Sequence, residues 1–179
     1  MEFSYINNKR KVIIMKIRMF GYSPESIVDG KGFRFSIFVQ GCLLDCPDCH
    51  NPESHDLNGG YLMDTEDLIK EISENPLLDG VTFSGGEPFL QPEPLAQIAE
   101  AVKKLSLNVW IYSGYTFEDI LKKGDEKQLN LLRLADVLVD GPFLKDERSL
   151  ELKFKGSRNQ RLVDVPKSLN AGEAITLEL

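Results

Sequence analysis

The sequence predicts an α/β fold with parallel strands, on three observations. Strand-like and helix-like stretches alternate from residue 33 to about residue 140, one pair every 25–30 residues or so, which is the rhythm of βαβ units. Glycine-bearing loops follow four of the strand-like stretches, at Gly41, Gly85, Gly114 and Gly141. Between them Leu95, Ile98, Ala99, Val102 and Leu105 form a helical stripe that can bury only against a sheet. In a parallel sheet all four loops open at one edge, where α/β folds place their chemistry.

Residues 1–14 read as an N-terminal extension with no assigned function, Met15 being an alternative start, and residues 15–179 as a single domain. Residues 12–20 read as a strand, rich in Ile and Val, and residues 22–26 as a loop. Asp29-Gly30-Lys31-Gly32 makes a turn into residues 33–40, a strand heavy in aromatic and β-branched side chains. Residues 51–60 continue as loop. Asp64 and an acidic first turn start a helix bearing Leu68, Ile69 and Ile72, which stops before Pro76. Residues 80–84 form a short buried strand that runs into Gly85-Gly86-Glu87-Pro88. A helix with proline in its first turn follows, then a strand at 108–112 and the loop Ser113-Gly114-Tyr115. Thr116 caps the next helix, Gly124-Asp125 breaks it, and residues 127–134 make another. Residues 136–140 are an apolar strand ending at Gly141-Pro142. Residues 152–155 and 161–165 read as a hairpin around Gly156-Ser157-Arg158-Asn159-Gln160.

Composition narrows the function. The 179 residues are 42% hydrophobic and 27% charged, ordinary for one soluble domain with a substantial core. No apolar run approaches the roughly 18 residues of a membrane span, and no signal-peptide pattern precedes the domain. A cytoplasmic protein, without membrane attachment, is expected. The net charge of −7 argues against nucleic acid as a partner. Against that average, Lys145, Arg148, Lys153, Lys155, Arg158 and Arg161 outweigh Asp146, Glu147 and Glu151 to give a local balance of +3. That patch is a solvated face or a docking surface.

All three cysteines fall in Gly41-Cys42-Leu43-Leu44-Asp45-Cys46-Pro47-Asp48-Cys49-His50, spaced C-x3-C-x2-C. An odd count this tightly spaced suits metal ligation better than disulfides. Spacing leaves two sites open. One is a [4Fe–4S] cluster with three cysteine ligands and one iron free for a small molecule. The other is a Cys3His zinc site using His50 or His55, in a binding module that needs no cofactor. The second glycine loop, Gly85-Gly86-Glu87-Pro88, puts bare backbone and a carboxylate beside a ligand.

C-x3-C-x2-C followed by a strand-terminal Gly-Gly-Glu-Pro resembles the radical S-adenosylmethionine enzymes. Within them, Val28-Asp29-Gly30-Lys31-Gly32-Phe33-Arg34 and His50-Asn51 resemble the glycyl-radical-enzyme activases. The segments at 109–116, 136–143 and 152–161 are similar to the activases that serve anaerobic ribonucleotide reductase. The resemblance runs from about residue 15 to 165. It implies a partial, open βα barrel. It also implies Cys42, Cys46 and Cys49 as ligands of a [4Fe–4S] cluster whose fourth iron takes S-adenosylmethionine. Asp48, Cys49, His50, Gly85, Gly86, Glu87, Ser113 and Asp140 are the implied cofactor-binding positions, and Asp140 is also a candidate for a monovalent cation. The implied activity is reductive cleavage of S-adenosylmethionine to place a radical on a glycine near the C-terminus of the reductase catalytic subunit. A flavodoxin-like protein is the implied electron donor. Lys31 departs from the proline common in these activases, and Asp48 from the aromatic that many superfamily members carry near adenine. An activase of another glycyl radical enzyme, of the pyruvate formate-lyase type, and a small enzyme rearranging pterin-like substrates remain the enzymatic alternatives.

Overall fold

The computed structural model describes residues 15–178; the expected extension at 1–14 and the start of the first expected strand lie outside the described residues. Among the described residues, seven strands form one open sheet in the order β3-β1-β2-β4-β5-β6-β7. They are β1 (Lys16–Ser26), β2 (Arg34–Val39), β3 (Tyr61–Asp64), β4 (Gly80–Gly85), β5 (Asn108–Tyr112), β6 (Val137–Asp140) and β7 (Arg161–Asp164). β2, β4, β5 and β6 run parallel, as the repeat predicted, while β1, β3 and β7 add antiparallel. The helices are α1 (Thr65–Glu74), α2 (Pro92–Lys104), α3 (Phe117–Lys123), α4 (Glu126–Leu134) and α5 (Val165–Ala171). No helix among the described residues is long and apolar enough to cross a membrane.

Period-two alternation sorts the sheet's side chains between its faces. Phe35, Ile37, Val39, Val81, Phe83, Val109, Ile111 and Leu138 pack with Leu68, Ile72, Leu95, Ile98 and Leu132 of the helices into one core. Trp110, Val137, Val139 and Leu162 form a second cluster on the other face, joined by Phe154 and Leu177. That face also carries a buried polar network. Arg34 donates to Thr82 Oγ1 (2.6 Å), Val81 O (2.7 Å), Asn108 Oδ1 (2.8 Å) and Lys31 O (3.0 Å). Asp29 accepts from Ser26 and Ser36. Burial pushes the Arg34 guanidinium down to about 10, and the Trp110 ring lies 5.1 Å from it.

Four expectations change. The predicted loop at 22–26 continues β1, because its backbone pairs with β2 across register shifts that let Pro24 sit where no ladder bond is needed. β3 went unpredicted; its Tyr61 and Leu62 are exposed, so no alternation marked it. The hairpin at 152–155 is absent. β7 pairs instead with β6, and Phe154, with φ of 58°, turns its ring edge-on to Trp110. The α2 stripe is buried at Leu95, Ile98, Ala99 and Val102, but Leu105 lies just past the helix and is exposed.

Candidate iron–sulfur site

β2 delivers the chain to Gly41, where φ of 100° turns it out of the sheet. The loop that follows is closed at its root, Gly41 N–H donating to Ser54 O (2.7 Å) and Cys42 N–H to His55 O (3.1 Å). Gln40 secures the far leg, its amide donating to Glu53 O (3.0 Å) and Asp56 O (2.8 Å). Asp45 and Asp48 take left-handed φ values of 46° and 55°. Aspartate tolerates these better than most residues, and they let the loop bend on either side of Cys46.

β4 brings the second loop alongside. Gly86 N–H donates to Val39 O and Glu87 N–H to Gly41 O, each at 2.8 Å. A Cβ on Gly86 would lie 2.2 Å from Gly41 O, so only glycine lets the two backbones approach this closely. Glu87 is buried, and its carboxylate accepts from Phe89 N–H, Ser113 Oγ and Gly114 N–H at 3.0 Å each. Burial pushes its pKa up to about 7, and these three donors pull the other way. Ser113 is engaged too, accepting from Tyr115 N–H (3.0 Å).

Cys42, Cys46, Cys49, Gly85, Gly86, Glu87 and Ser113 line a single solvent-open cavity of about 120 Å³ at the C-terminal edge of the parallel strands. Asp48 and His50 face a neighbouring hollow on the outer side of the cysteine loop, which Cys46 and Cys49 also reach. Asp140 lines neither. Its carboxylate is taken up by Arg161 Nε (3.0 Å), Arg161 Nη2 (2.5 Å) and Phe117 N–H (2.8 Å), so the suggested cation position is filled by the chain's own guanidinium. His55, Tyr112, Phe143 and Gln160 complete the cavity. Gln40 and Gln160 gave no signal in sequence, because their roles depend on which strands return beside the loop. A broader hollow of about 520 Å³, lined by Glu93, Gln97 and Lys127 among others, lies on the helical side and holds none of these residues.

The donor set fits a cluster. The three thiols are free of disulfides and partly exposed, and backbone N–H groups of Leu44 and Asn51 already point at Cys42 Sγ (3.5 Å) and Cys49 Sγ (3.4 Å), the kind of contact that tunes cluster sulfurs. Burial, then the charges of Glu87, Cys46 and Cys49, push the Cys42 thiol up. A bare thiolate is disfavoured there, and a bound metal would remove that penalty. Among the described residues no three His, Cys, Asp or Glu side chains gather as a single ion requires.

The fold and this loop define a class: a domain built to carry one iron–sulfur cluster. The family model described as a 4Fe-4S single cluster domain matches residues 28–163. The similarity to known proteins is narrower still. The chain is 31% identical over 153 residues to the anaerobic ribonucleoside-triphosphate reductase-activating protein of Salmonella typhi, covering 80% of this chain and 96% of that one. It is 32% identical over 149 residues to the protein of the same name from Haemophilus influenzae (78% and 92%), and 34% over 147 residues to that of Enterobacteria phage T4 (78% and 88%). The chain belongs to the family of anaerobic ribonucleoside-triphosphate reductase-activating proteins. Among solved structures, QueE from Escherichia coli aligns with a TM-score of 0.42 and 17% identity over 57% of this chain and 54% of that one.

Proposed function

We propose that this protein activates an anaerobic ribonucleoside-triphosphate reductase by reductive cleavage of S-adenosylmethionine at a [4Fe–4S] cluster held by Cys42, Cys46 and Cys49. The observation that carries the reading is the convergence of three thiols and the Gly85-Gly86-Glu87 loop on one cavity, in a chain whose relatives bear the activating-protein name. When bound, the cluster and S-adenosylmethionine would supply one-electron reductive cleavage of a C–S bond, with release of methionine, as the source of hydrogen-atom abstraction from a glycine of the reductase.

The protein's part is to bind, orient and shield. Three thiolates would hold three irons of such a cluster and leave the fourth without a side-chain ligand. The backbone around Gly85 and Gly86 offers close-range polar groups for the methionine end of the cofactor. Glu87 holds that backbone by tying the β4 loop to Ser113 and Gly114. Asp48 and His50, on the outer side, are candidates for the adenosine end. The basic residues Lys153 and Arg158 on the 141–160 segment are the proposed docking face for the reductase. Electrons at about −400 mV or below, the range of plant-type ferredoxins, would come from a flavodoxin-like donor.

The test is anaerobic reconstitution followed by assay of iron, sulfide, 5′-deoxyadenosine and, with the reductase catalytic subunit present, a glycyl doublet by EPR. The reading expects about four irons and four sulfides per chain, 5′-deoxyadenosine formation under reduction, and the doublet. Cys46→Ala should lose all three. One zinc per chain without sulfide, or full activity in Cys46→Ala, would overturn it.

A further inference from the structure

Residues 141–160 leave the sheet after Asp140, arch past the cysteine loop, and return into β7 at Arg161. The arch's two legs are cross-linked. Gln160 Nε2 donates to Gly141 O (3.0 Å), Asn159 Nδ2 to Pro142 O (2.8 Å) and Arg158 N–H to Glu147 O (2.9 Å). Its contacts with the cysteine loop are slight. Lys145 pairs with Asp48 at 2.5 Å, but both side chains are more than half exposed, and exposed pairs contribute little. The rings of Phe143 and His50 meet at 4.6 Å. Yet Phe143 and Gln160 line the cavity, so the arch is held by other contacts, one of them Phe154 against Trp110.

Its base supplies a second, ionic hold. Asp140 and Arg161 are opposite residues in the β6–β7 ladder, and they are the two residues immediately flanking the arch. The Asp140 side chain is 1% exposed. Arg161 grips both its oxygens and also donates to both oxygens of Glu118, at 3.1 and 2.7 Å. Phe117 N–H, at the start of α3, completes the shell of Asp140. Three elements therefore meet on one guanidinium, whose planar fork can serve two carboxylates where an ammonium cannot.

We infer that Arg161 is a positioning residue that fixes the 141–160 arch over the cofactor cavity, an internal cation closing a dicarboxylate pocket that would otherwise stand open. Its bearing on cofactor binding rests on the function proposed above; its bearing on the arch does not. Removing it leaves Asp140 buried without its counter-charge, releases the arch at its base, and opens a hole the size of a guanidinium between two acids.

The test compares wild type, Arg161→Ala and Glu118→Gln by amide hydrogen exchange. In Arg161→Ala, exchange across 141–160 is expected to quicken by about tenfold or more while β2 and β4 keep their protection, as local opening requires. Millimolar guanidinium chloride, too dilute to denature, should restore the slow exchange in that variant and leave wild type unchanged. Glu118→Gln keeps Asp140 paired and should give a smaller rise confined to the same segment. Should Arg161→Ala fail to fold, Glu118→Gln decides alone. Unchanged exchange in the arch, or a rise spread evenly over the sheet, overturns the inference. A second readout is the S-adenosylmethionine concentration at half-maximal cleavage, expected to rise in Arg161→Ala and to fall back with guanidinium. If no protein cleaves S-adenosylmethionine, the proposed function fails while the exchange result still decides the role of Arg161.

Discussion

Replacing Glu87 with glutamine tests how the second loop is built. The carboxyl is buried and its pKa stands at about 7, against 4.5 for the free side chain. A folded-state pKa above the unfolded one means that the native protein holds an extra proton between those values. The stability it confers is fully present below pH 4.5 and is lost as pH rises through 7. The gap corresponds to about 3 kcal/mol. Glutamine cannot ionise, so its own contribution is flat with pH. It does present an NH2 group where Glu87 Oε2 accepts from Gly114 N–H. That mismatch costs about 1–3 kcal/mol at every pH.

The two effects separate by their pH dependence. Urea unfolding of wild type and Glu87→Gln, both free of cluster, at intervals from pH 4.5 to 8 gives the difference in stability at each pH. Groups common to both proteins cancel. Wild type is expected to be the more stable at pH 4.5, and its advantage to shrink by about 3 kcal/mol by pH 8, vanishing or reversing. A constant difference across the range would refute the reasoning, since it would mean that the carboxyl ionises inside the protein as it does in water. A difference that grows with pH would show the three donors outweighing burial.

Other expectations follow from the same contacts. Gly86→Ala should push the two loops apart, because its Cβ would meet Gly41 O at 2.2 Å; iron content after reconstitution should fall well below that of wild type. Gly21→Ala, where a Cβ meets nothing within 4 Å, should leave both iron content and stability within about 0.5 kcal/mol of wild type. Arg34→Lys removes the fork that serves Thr82, Val81, Asn108 and Lys31 and should cost about 2–4 kcal/mol in urea unfolding. Charge reversal at Lys153 and Arg158 should weaken reductase activation while sparing cofactor cleavage without the reductase; equal loss of both would count against a docking role.

The four parallel strands and the edge they share were legible because each is a short apolar run ending in glycine, with an amphipathic helix between most pairs. Spacing singled out the cysteine loop as a metal-binding candidate but left a cluster and a zinc site both open. The antiparallel additions were not. β3 presents Tyr61 and Leu62 to solvent, so its pairing with β1 is a matter of backbone hydrogen bonds that no side-chain pattern announces. β7 was found but given the wrong partner: alternation in 152–155 suggested a hairpin, whereas Phe154 leaves that segment to pack on Trp110. At the site, the same limit separates Glu87 from Asp140. Both are carboxylates beside strand ends. One faces the cavity because β5 brings Ser113 and Gly114 to it, and the other is turned away because β7 brings Arg161. Which donor arrives depends on the topology of the whole sheet.

The central claim is that three cysteines hold the cluster and one iron is left open to S-adenosylmethionine. EPR of the reduced, reconstituted protein before and after S-adenosylmethionine is added addresses it most directly. A changed set of g values on addition, with a hyperfine coupling from isotope-labelled methionine nitrogen, is the expected result. A spectrum identical with and without the cofactor would contradict it.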